Sequence, residues 1–217
     1  MIAKLPDHSA KREERMLYRV QKGDIVQASK VLADAFQHDP LWNKIYEGDP
    51  NIEKRFHAFF EGGVRYCLKY GEVYAPSKDL EGVMGLVPGK YADMTWWRAI
   101  RSGTMGIGMR MGLSAAMKMN TIFKPVTGDR RGNMAGCIFL YVLVIGVATE
   151  LQGKGFGRKL IDTAIEKSER EAQHLYLETE TEENVRMYEH FGFKLLKKIT
   201  LPIVGLPMWE MVKEPQV

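Results

Sequence analysis

The chain has 217 residues, of which 45% are hydrophobic and 27% are charged. This composition excludes general disorder, because a chain of this length can bury roughly 70% of the surface that it exposes when unfolded. The two cysteines, Cys67 and Cys137, exclude a disulfide framework and form no Cys/His cluster of the kind that binds structural zinc. Its 31 basic and 27 acidic side chains leave a net charge of only +4. We therefore predict a globular protein of a reducing compartment, without a metal.

Neither a secretory signal nor a membrane-spanning helix is evident. The first 16 residues lack an apolar core, and the longest apolar run, 137–148, is shorter than the roughly 18 residues that a membrane helix requires. We expect a cytoplasmic location and no membrane partner.

The first third of the chain predicts a strand, two amphipathic helices and two short strands. Apolar residues recur at helical spacing after Asp24 and again after Asn51, which is a good N-cap residue, and Gly71 ends the second helix. We expect a flexible N-terminus over residues 1–14, a strand at 16–21, helices at 24–36 and 51–70, and strands at 72–75 and 80–87.

Residues 88–135 have the composition of an insert. They carry a net charge of +6, and residues 90–124 among them contain six of the thirteen methionines and the pair Trp96–Trp97. We interpret them as two short helices broken near Gly106–Gly108. Two functions remain open for this insert. It is either a flexible apolar wall of a ligand site, since methionine packs adaptably, or a layer that covers the sheet.

The second half of the chain alternates strands and helices and ends in an antiparallel hairpin. The continuous β-branched and aromatic run at 137–148 is typical of a central strand that is buried on both faces. Together with the first elements, this order predicts one α/β domain over residues 15–217, with a mixed sheet of about seven strands and helices on both faces. The predicted elements are a helix at 155–170, a strand at 174–180, a helix at 183–190 and strands at 193–201 and 207–214.

The junction between the buried strand and the next helix has the pattern of a phosphate site. Gly153, Gly155 and Gly157 allow a ligand to approach the backbone where the unpaired amides and positive dipole of a helix begin. Lys154 and Arg158 add positive charge. The spacing fits neither the GxGxxG dinucleotide fingerprint nor the P-loop. The residues therefore predict a pyrophosphate site of another type.

This junction resembles the acetyl-CoA-binding motif Q/R-x-x-G-x-G/A, here Gln152-x-x-Gly155-x-Gly157. The motif is that of the GCN5-related N-acetyltransferase (GNAT) superfamily. The segments FLYVLVIGVATELQGKGFG and LYLETETEENVRMYEHFGF look like the puromycin N-acetyltransferase type within it. The resemblance implies a mixed sheet that splays at its central strand and an N-acetyltransferase that uses acetyl-CoA as co-substrate without a metal. It also implies a set of cofactor-binding residues, namely Ile145, Val147, Gln152, Gly153, Lys154, Gly155, Phe156, Gly157, Arg158, Asn184 and Tyr188.

The resemblance assigns roles to part of this set. Val147 is implied to pair with the pantetheine arm, and the Ile145 N–H is implied to point at the thioester oxygen. Gly146 interrupts a β-branched strand, so we place the splay there. Tyr188 matches the family's general acid, and a phenol suits protonation of a departing thiolate. Two structural alternatives remain open, a core position for Tyr188 and a helix-capping role for Asn184.

The general base is the least determined role. Some relatives use histidines on the central strand, where this chain has Tyr141 and Leu143. Glu178 is the better candidate, because it is a carboxylate beside the expected splay. A solvent-facing charge on an alternating strand is the competing interpretation.

The favoured acceptor is the primary amine of a small molecule, because the insert could enclose a compact pocket. A protein N-terminus or lysine and a silent acyl-CoA-binding sensor are the alternatives. Nucleic-acid binding is disfavoured, since the basic excess is small and no nucleic-acid motif accompanies it. The sequence leaves open whether the chain forms a homodimer, and whether acyl groups other than acetyl are used.

Overall fold

The structure is a computed structural model that describes residues 17–216, apart from the side chain of Met105. The predicted flexible segment 1–14 lies outside the described residues. Seven strands are present, β1 Tyr18–Arg19, β2 Glu72–Ala75, β3 Gly82–Pro88, β4 Phe139–Val147, β5 His174–Thr179, β6 Lys194–Thr200 and β7 Pro207–Lys213. The α-helices are α1 Ile25–Ala35, α2 Pro40–Ile45, α3 Ile52–Tyr70, α4 Trp96–Arg101, α5 Met105–Met111, α6 Leu113–Asn133, α7 Phe156–Arg170 and α8 Glu182–His190.

The strands form one sheet in the order β1-β2-β3-β4-β5-β7-β6, as the predicted mixed α/β class requires. Every neighbouring pair is antiparallel except β4 and β5. That parallel pair is short, since only residues 139–141 pair with residues 174–176. Beyond Tyr141 the two strands separate, and a gap opens between them in the middle of the sheet.

Helices cover both faces of the sheet, because successive side chains of each strand point to opposite faces. Val83 packs in one buried cluster with residues of α1, α3 and α6. Its neighbour Met84 packs in a second cluster with residues of α7 and α8. The predicted two-faced architecture is therefore confirmed. None of the helices described is both long and apolar enough to cross a bilayer.

The helix α2 was not predicted. The Asp39 carboxylate accepts hydrogen bonds from the amides of Leu41 (2.8 Å) and Trp42 (3.4 Å), and Pro40 occupies the first helical position. An N-cap aspartate followed by proline is a strong local signal for a helix start. Because α2 has only six residues, it is too short to show a hydrophobic periodicity.

The insert folds into three helices, and the predicted break near Gly106–Gly108 is wrong. Those glycines lie within α5, and the chain instead turns at Gly112, where φ is +88° and a side chain would collide with Arg55. Trp96 and Trp97 are 70% and 72% exposed. They therefore contribute nothing to the core, whereas Ala115, Met119 and Ile122 of α6 belong to the buried cluster on one face of the sheet.

The predicted splay at Gly146 is also wrong. The bulge lies at Leu143, because Val144 pairs with Gly85 while Val142 pairs with Leu86. The absence of a side chain at Gly146 instead allows α1 to pack closely on β4. A Cβ atom there would lie 2.9 Å from the Cβ of Ala35, closer than side chains tolerate.

Candidate active site

The edge of β4 that faces the gap carries backbone groups that no neighbouring strand pairs. The amide of Ala148 donates to the carbonyl of Glu81 on the β3 side of the strand (3.0 Å). Backbone groups of successive residues in an antiparallel strand point to opposite sides, so those of Ile145 and Val147 face the gap that β5 has left. The Gln152 side chain donates to the Val147 carbonyl (3.2 Å). The structure thus brings three of the predicted residues to one strand edge.

The loop that follows β4 delivers free amides to the same end of the gap. Gly155 occupies the N-cap position of α7 in the left-handed conformation, with φ of +88°, and no side chain caps this helix. The amides of Phe156, Gly157 and Arg158 therefore have no helical partner. A Cβ atom at Gly155 would meet nothing within 4 Å, so the space in front of these amides is open. This is the cradle that an anionic group requires.

The charged residues of the loop differ in orientation. Lys154 and Arg158 are exposed, and the guanidinium of Arg158 lies 3.5 Å from Asp162 and over the ring of Phe191. Lys159, by contrast, donates to the carbonyl of Pro76 (3.1 Å). The positive charge beside the unpaired amides thus comes from Lys154 and Arg158.

Tyr188 is a core residue whose hydroxyl remains available. The side chain is only 5% exposed and packs against Phe193, with ring centroids 5.5 Å apart. Its hydroxyl forms no hydrogen bond with any residue in 17–216, yet it is not sealed from solvent. Burial, followed by the charge of Glu180, raises the pKa of Tyr188 well above its ordinary value. The phenol is therefore protonated at neutral pH.

Asn184 lies four residues before Tyr188 on α8, and it does not cap that helix. The N-cap is Thr181, whose hydroxyl accepts a hydrogen bond from the Asn184 amide (3.2 Å). The capping role proposed for Asn184 is therefore wrong. Its half-buried side chain is available to a ligand on the same helix face as Tyr188.

Glu178, the predicted general base, lies in a buried ion pair. Its carboxylate is 2.6 Å from the guanidinium of Arg130, and the two side chains are 9% and 7% exposed. Arg130 also pairs with Asp93 (3.0 Å) and lies over the ring of Tyr141. Burial raises the pKa of Glu178, and the charge of Arg130 opposes that effect. The arrangement argues for a structural role, because the Arg130 contact occupies the carboxylate that would receive a proton.

Glu180 is the residue that the sequence analysis missed. It directly follows β5, is half-buried, and its carboxylate has no ion-pair partner among residues 17–216. Burial, then the charges of Asp39 and Glu178, raises the pKa of Glu180 to about 8. The alternation of HLYLETE was the available signal, since it places Glu178 and Glu180 on the same side. Within the described part of the chain, no set of three or more His, Cys, Asp or Glu side chains could hold a metal ion.

Known proteins resemble this chain in sequence and in fold. Residues 124–195 match a family model described as an acetyltransferase (GNAT) domain. An uncharacterized N-acetyltransferase of Schizosaccharomyces pombe is 27% identical over 206 residues, which are 91% of this chain and 83% of that protein.

Two solved structures share the fold across nearly the whole chain. The crystal structure of histone acetyltransferase HPA2 and related acetyltransferase from Corynebacterium glutamicum has a TM-score of 0.63 and 18% identity, and the match covers 93% of this chain and 97% of that one. The polyamine N-acetyltransferase of Drosophila melanogaster, described as forming N-acetylagmatine, has a TM-score of 0.54 and 14% identity, with 92% and 99% covered. At these identities the likeness concerns the fold.

Proposed function

We propose that this chain, which resembles the GNAT acetyltransferases in sequence and in fold, is a member of that superfamily and transfers the acetyl group of acetyl-CoA to the primary amine of a small molecule. The observation that carries the proposal is the gap in the sheet. One end of it has the uncapped start of α7, and its edge has backbone groups of β4 that no strand pairs. Tyr188 packs in one buried cluster with Val142 of β4 and Leu177 of β5, which lie where the strands have separated.

The residues present suit acetyl-CoA. The open amides of Phe156, Gly157 and Arg158, with Lys154 nearby, fit a pyrophosphate. The backbone of Val147 fits the pantetheine amides, which can pair with a strand edge as a peptide does. The co-substrate supplies an acetyl group that is activated as a thioester.

Two groups of the chain act on the reacting atoms. The Ile145 N–H, fixed by the β3–β4 pairing, stabilises the negative charge that develops on the thioester oxygen. The Tyr188 hydroxyl donates a proton to the sulfur that leaves. Its raised pKa keeps the phenol protonated until the thiolate appears.

A small amine is favoured as acceptor for two reasons. Burial and the charges of Asp39 and Glu178 raise the pKa of the half-buried Glu180, so several acidic side chains act on the end of β5 that borders the gap. In addition, one fold neighbour is described as a polyamine N-acetyltransferase. Both features suit a cationic amine better than a neutral acceptor.

Acetyl-CoA binding tests the first half of the proposal. At about 100 times its dissociation constant, acetyl-CoA should stabilise the fold by roughly 2.7 kcal/mol, as measured by a thermal or urea unfolding curve. Gly155→Asp should abolish this shift, because it places a negative side chain in front of the amides. Gly48→Asp is the matched control, since Gly48 also has a positive φ and open space. An unchanged unfolding curve for the wild type would contradict the proposal.

An amine panel tests the second half. The wild-type protein should release CoA thiol in the presence of agmatine, phenethylamine or related primary amines. Tight acetyl-CoA binding without turnover of any amine would instead favour a sensor. Turnover of an N-terminal peptide alone would favour a protein acceptor.

A further inference from the structure

We infer that Glu180 accepts the proton of the acceptor, which enters the site as an ammonium ion. This inference rests on the proposed acetyl transfer, and it assigns to that reaction a base and a substrate charge. It replaces Glu178 as the candidate for the base.

The position of Glu180 is the first argument. It lies where β5 turns into α8, immediately beyond the part of the strand that borders the gap. Its charge acts on Tyr188, which belongs to the α7–α8 face, and on Tyr141, which belongs to the opposite face. The gap in the sheet is what allows one carboxylate to reach groups on both faces.

The missing counter-charge is the second argument. Glu178 has Arg130 as its partner, whereas neither Glu180 nor Asp39 forms an ion pair within residues 17–216. Asp39 accepts only the two backbone amides of α2. A carboxylate removed from water without a cation tends to hold its proton, and a ligand that brings positive charge favours its ionised form.

The hydroxyl of Tyr188 is free to meet a ligand. The residue is 5% exposed, and its hydroxyl has no hydrogen-bond partner among residues 17–216, although it is not sealed from solvent. Tyr188 packs in one buried cluster with Val142 of β4 and Leu177 of β5, which lie where the two strands have separated. Burial and then the charge of Glu180 raise the pKa of this phenol, so the carboxylate is close enough to act on it.

The proton balance is simple. The ammonium ion gives one proton to Glu180, and the neutral nitrogen forms a bond to the thioester carbon. As the carbon–sulfur bond breaks, sulfur takes a proton from Tyr188, and the new N–H⁺ loses a proton that restores the phenol through water. Glu180 then returns its proton to solvent. One proton leaves for each amide formed, and no oxidant or metal takes part.

The pH dependence follows from the groups around Glu180. Asp39, Glu178 and the phenols of Tyr141 and Tyr188 face it, and Arg130 offsets the charge of Glu178. With a pKa of about 8, Glu180 is protonated at lower pH and cannot accept a proton there. The value of kcat/KM should therefore rise with pH through about 8.

The test uses Glu180→Gln with agmatine or phenethylamine as the acceptor probe, between pH 6 and pH 10. We expect kcat/KM near pH 7 to fall by roughly 10²–10⁴, the usual contribution of a positioned base. The loss should shrink near pH 10, where a free alkylamine is substantially deprotonated. The dissociation constant of acetyl-CoA should not change. Glu182→Gln, which alters an exposed carboxylate two residues away, should behave as the wild type.

Glu180→Asp keeps the charge and shortens the side chain, so it should recover part of the activity together with the rise near pH 8. Wild-type rates and an unchanged pH profile in Glu180→Gln would overturn the inference but leave the acetyltransferase proposal standing. A wild type that binds acetyl-CoA and acetylates no amine would overturn both. The activity of the wild type therefore separates the two failures.

Discussion

The carboxylate of Glu178 on β5 and the guanidinium of Arg130 on α6 lie 2.6 Å apart, and both side chains are more than nine-tenths buried. This pair attaches the long helix of the insert to the strand that borders the gap. The same guanidinium reaches Asp93 (3.0 Å) and covers the ring of Tyr141 on β4. One side chain of the insert therefore connects both strands at the point where they separate.

Arg130→Met should destabilise the fold by about 3–5 kcal/mol, because it leaves the buried Glu178 without its cation. Since burial raises the pKa of Glu178 and the opposing charge of Arg130 is then gone, the folded state holds a proton that the unfolded chain has already lost. The stability of this variant should fall further as the pH rises above the unfolded pKa of a glutamate. Urea unfolding at pH 5 and pH 8 measures both effects. Arg130→Met combined with Glu178→Leu should recover most of the loss, and a double variant no better than the single one would contradict a buried pair.

Tyr188→Phe should lower turnover by roughly 10²–10⁴ while the stability and the acetyl-CoA affinity stay close to those of the wild type. The reason is that the ring fills the core whereas the hydroxyl has no partner in the described chain. Tyr70→Phe is a control, because it removes a hydroxyl that only contacts the carbonyl of Arg98. Steady-state rates should be measured where chemistry limits turnover. An unaltered rate in Tyr188→Phe would exclude this phenol as the acid.

Gly146→Ala should destabilise the fold by about 1–3 kcal/mol, because the new methyl group would meet Ala35 and Phe36 of the α1 region at 2.9 and 3.1 Å. Gly132→Ala is the matched control. It lies in α6 with open space around it, so the same substitution should stabilise the protein by up to about 1 kcal/mol. Chemical denaturation of both variants would check the contrast. Equal effects at the two sites would mean that α1 does not pack on Gly146 as described.

Thr181→Ala and Asn184→Ala should separate capping from ligand binding at the start of α8. The first removes the N-cap acceptor and should cost about 1 kcal/mol of stability. The second should leave stability nearly unchanged and weaken acetyl-CoA binding, as measured by calorimetry. If Asn184→Ala destabilised the protein while the affinity stayed the same, the side chain would be structural.

Local signals account for most of the elements. The periodicity after Asp24 and Asn51 located α1 and α3, and the β-branched run located β4, because each pattern depends on neighbours in the chain. The strand Glu72–Ala75 was predicted with its observed limits. The helix α2 escaped because its signal is a cap, Asp39–Pro40, and not a period. The insert was misjudged because its glycines lie inside a helix whose packing on α3 supports them.

The sequence by itself determined the phosphate loop, since the glycine spacing and the helix start that follow β4 are properties of a dozen consecutive residues. It also determined the mixed sheet, because the order of strands and helices is written along the chain. Only the tertiary structure decided where β4 and β5 separate and which carboxylate has a partner. Arg130 and Glu178 are 48 residues apart in the chain, and Asp39 is also distant from Glu180 in sequence. No local sequence pattern can therefore show that Glu178 is paired with a cation whereas Glu180 is not. The charge state of a buried group depends on its neighbours in space. These neighbours are determined only when the helices that precede β4, including those of the insert, pack on the sheet.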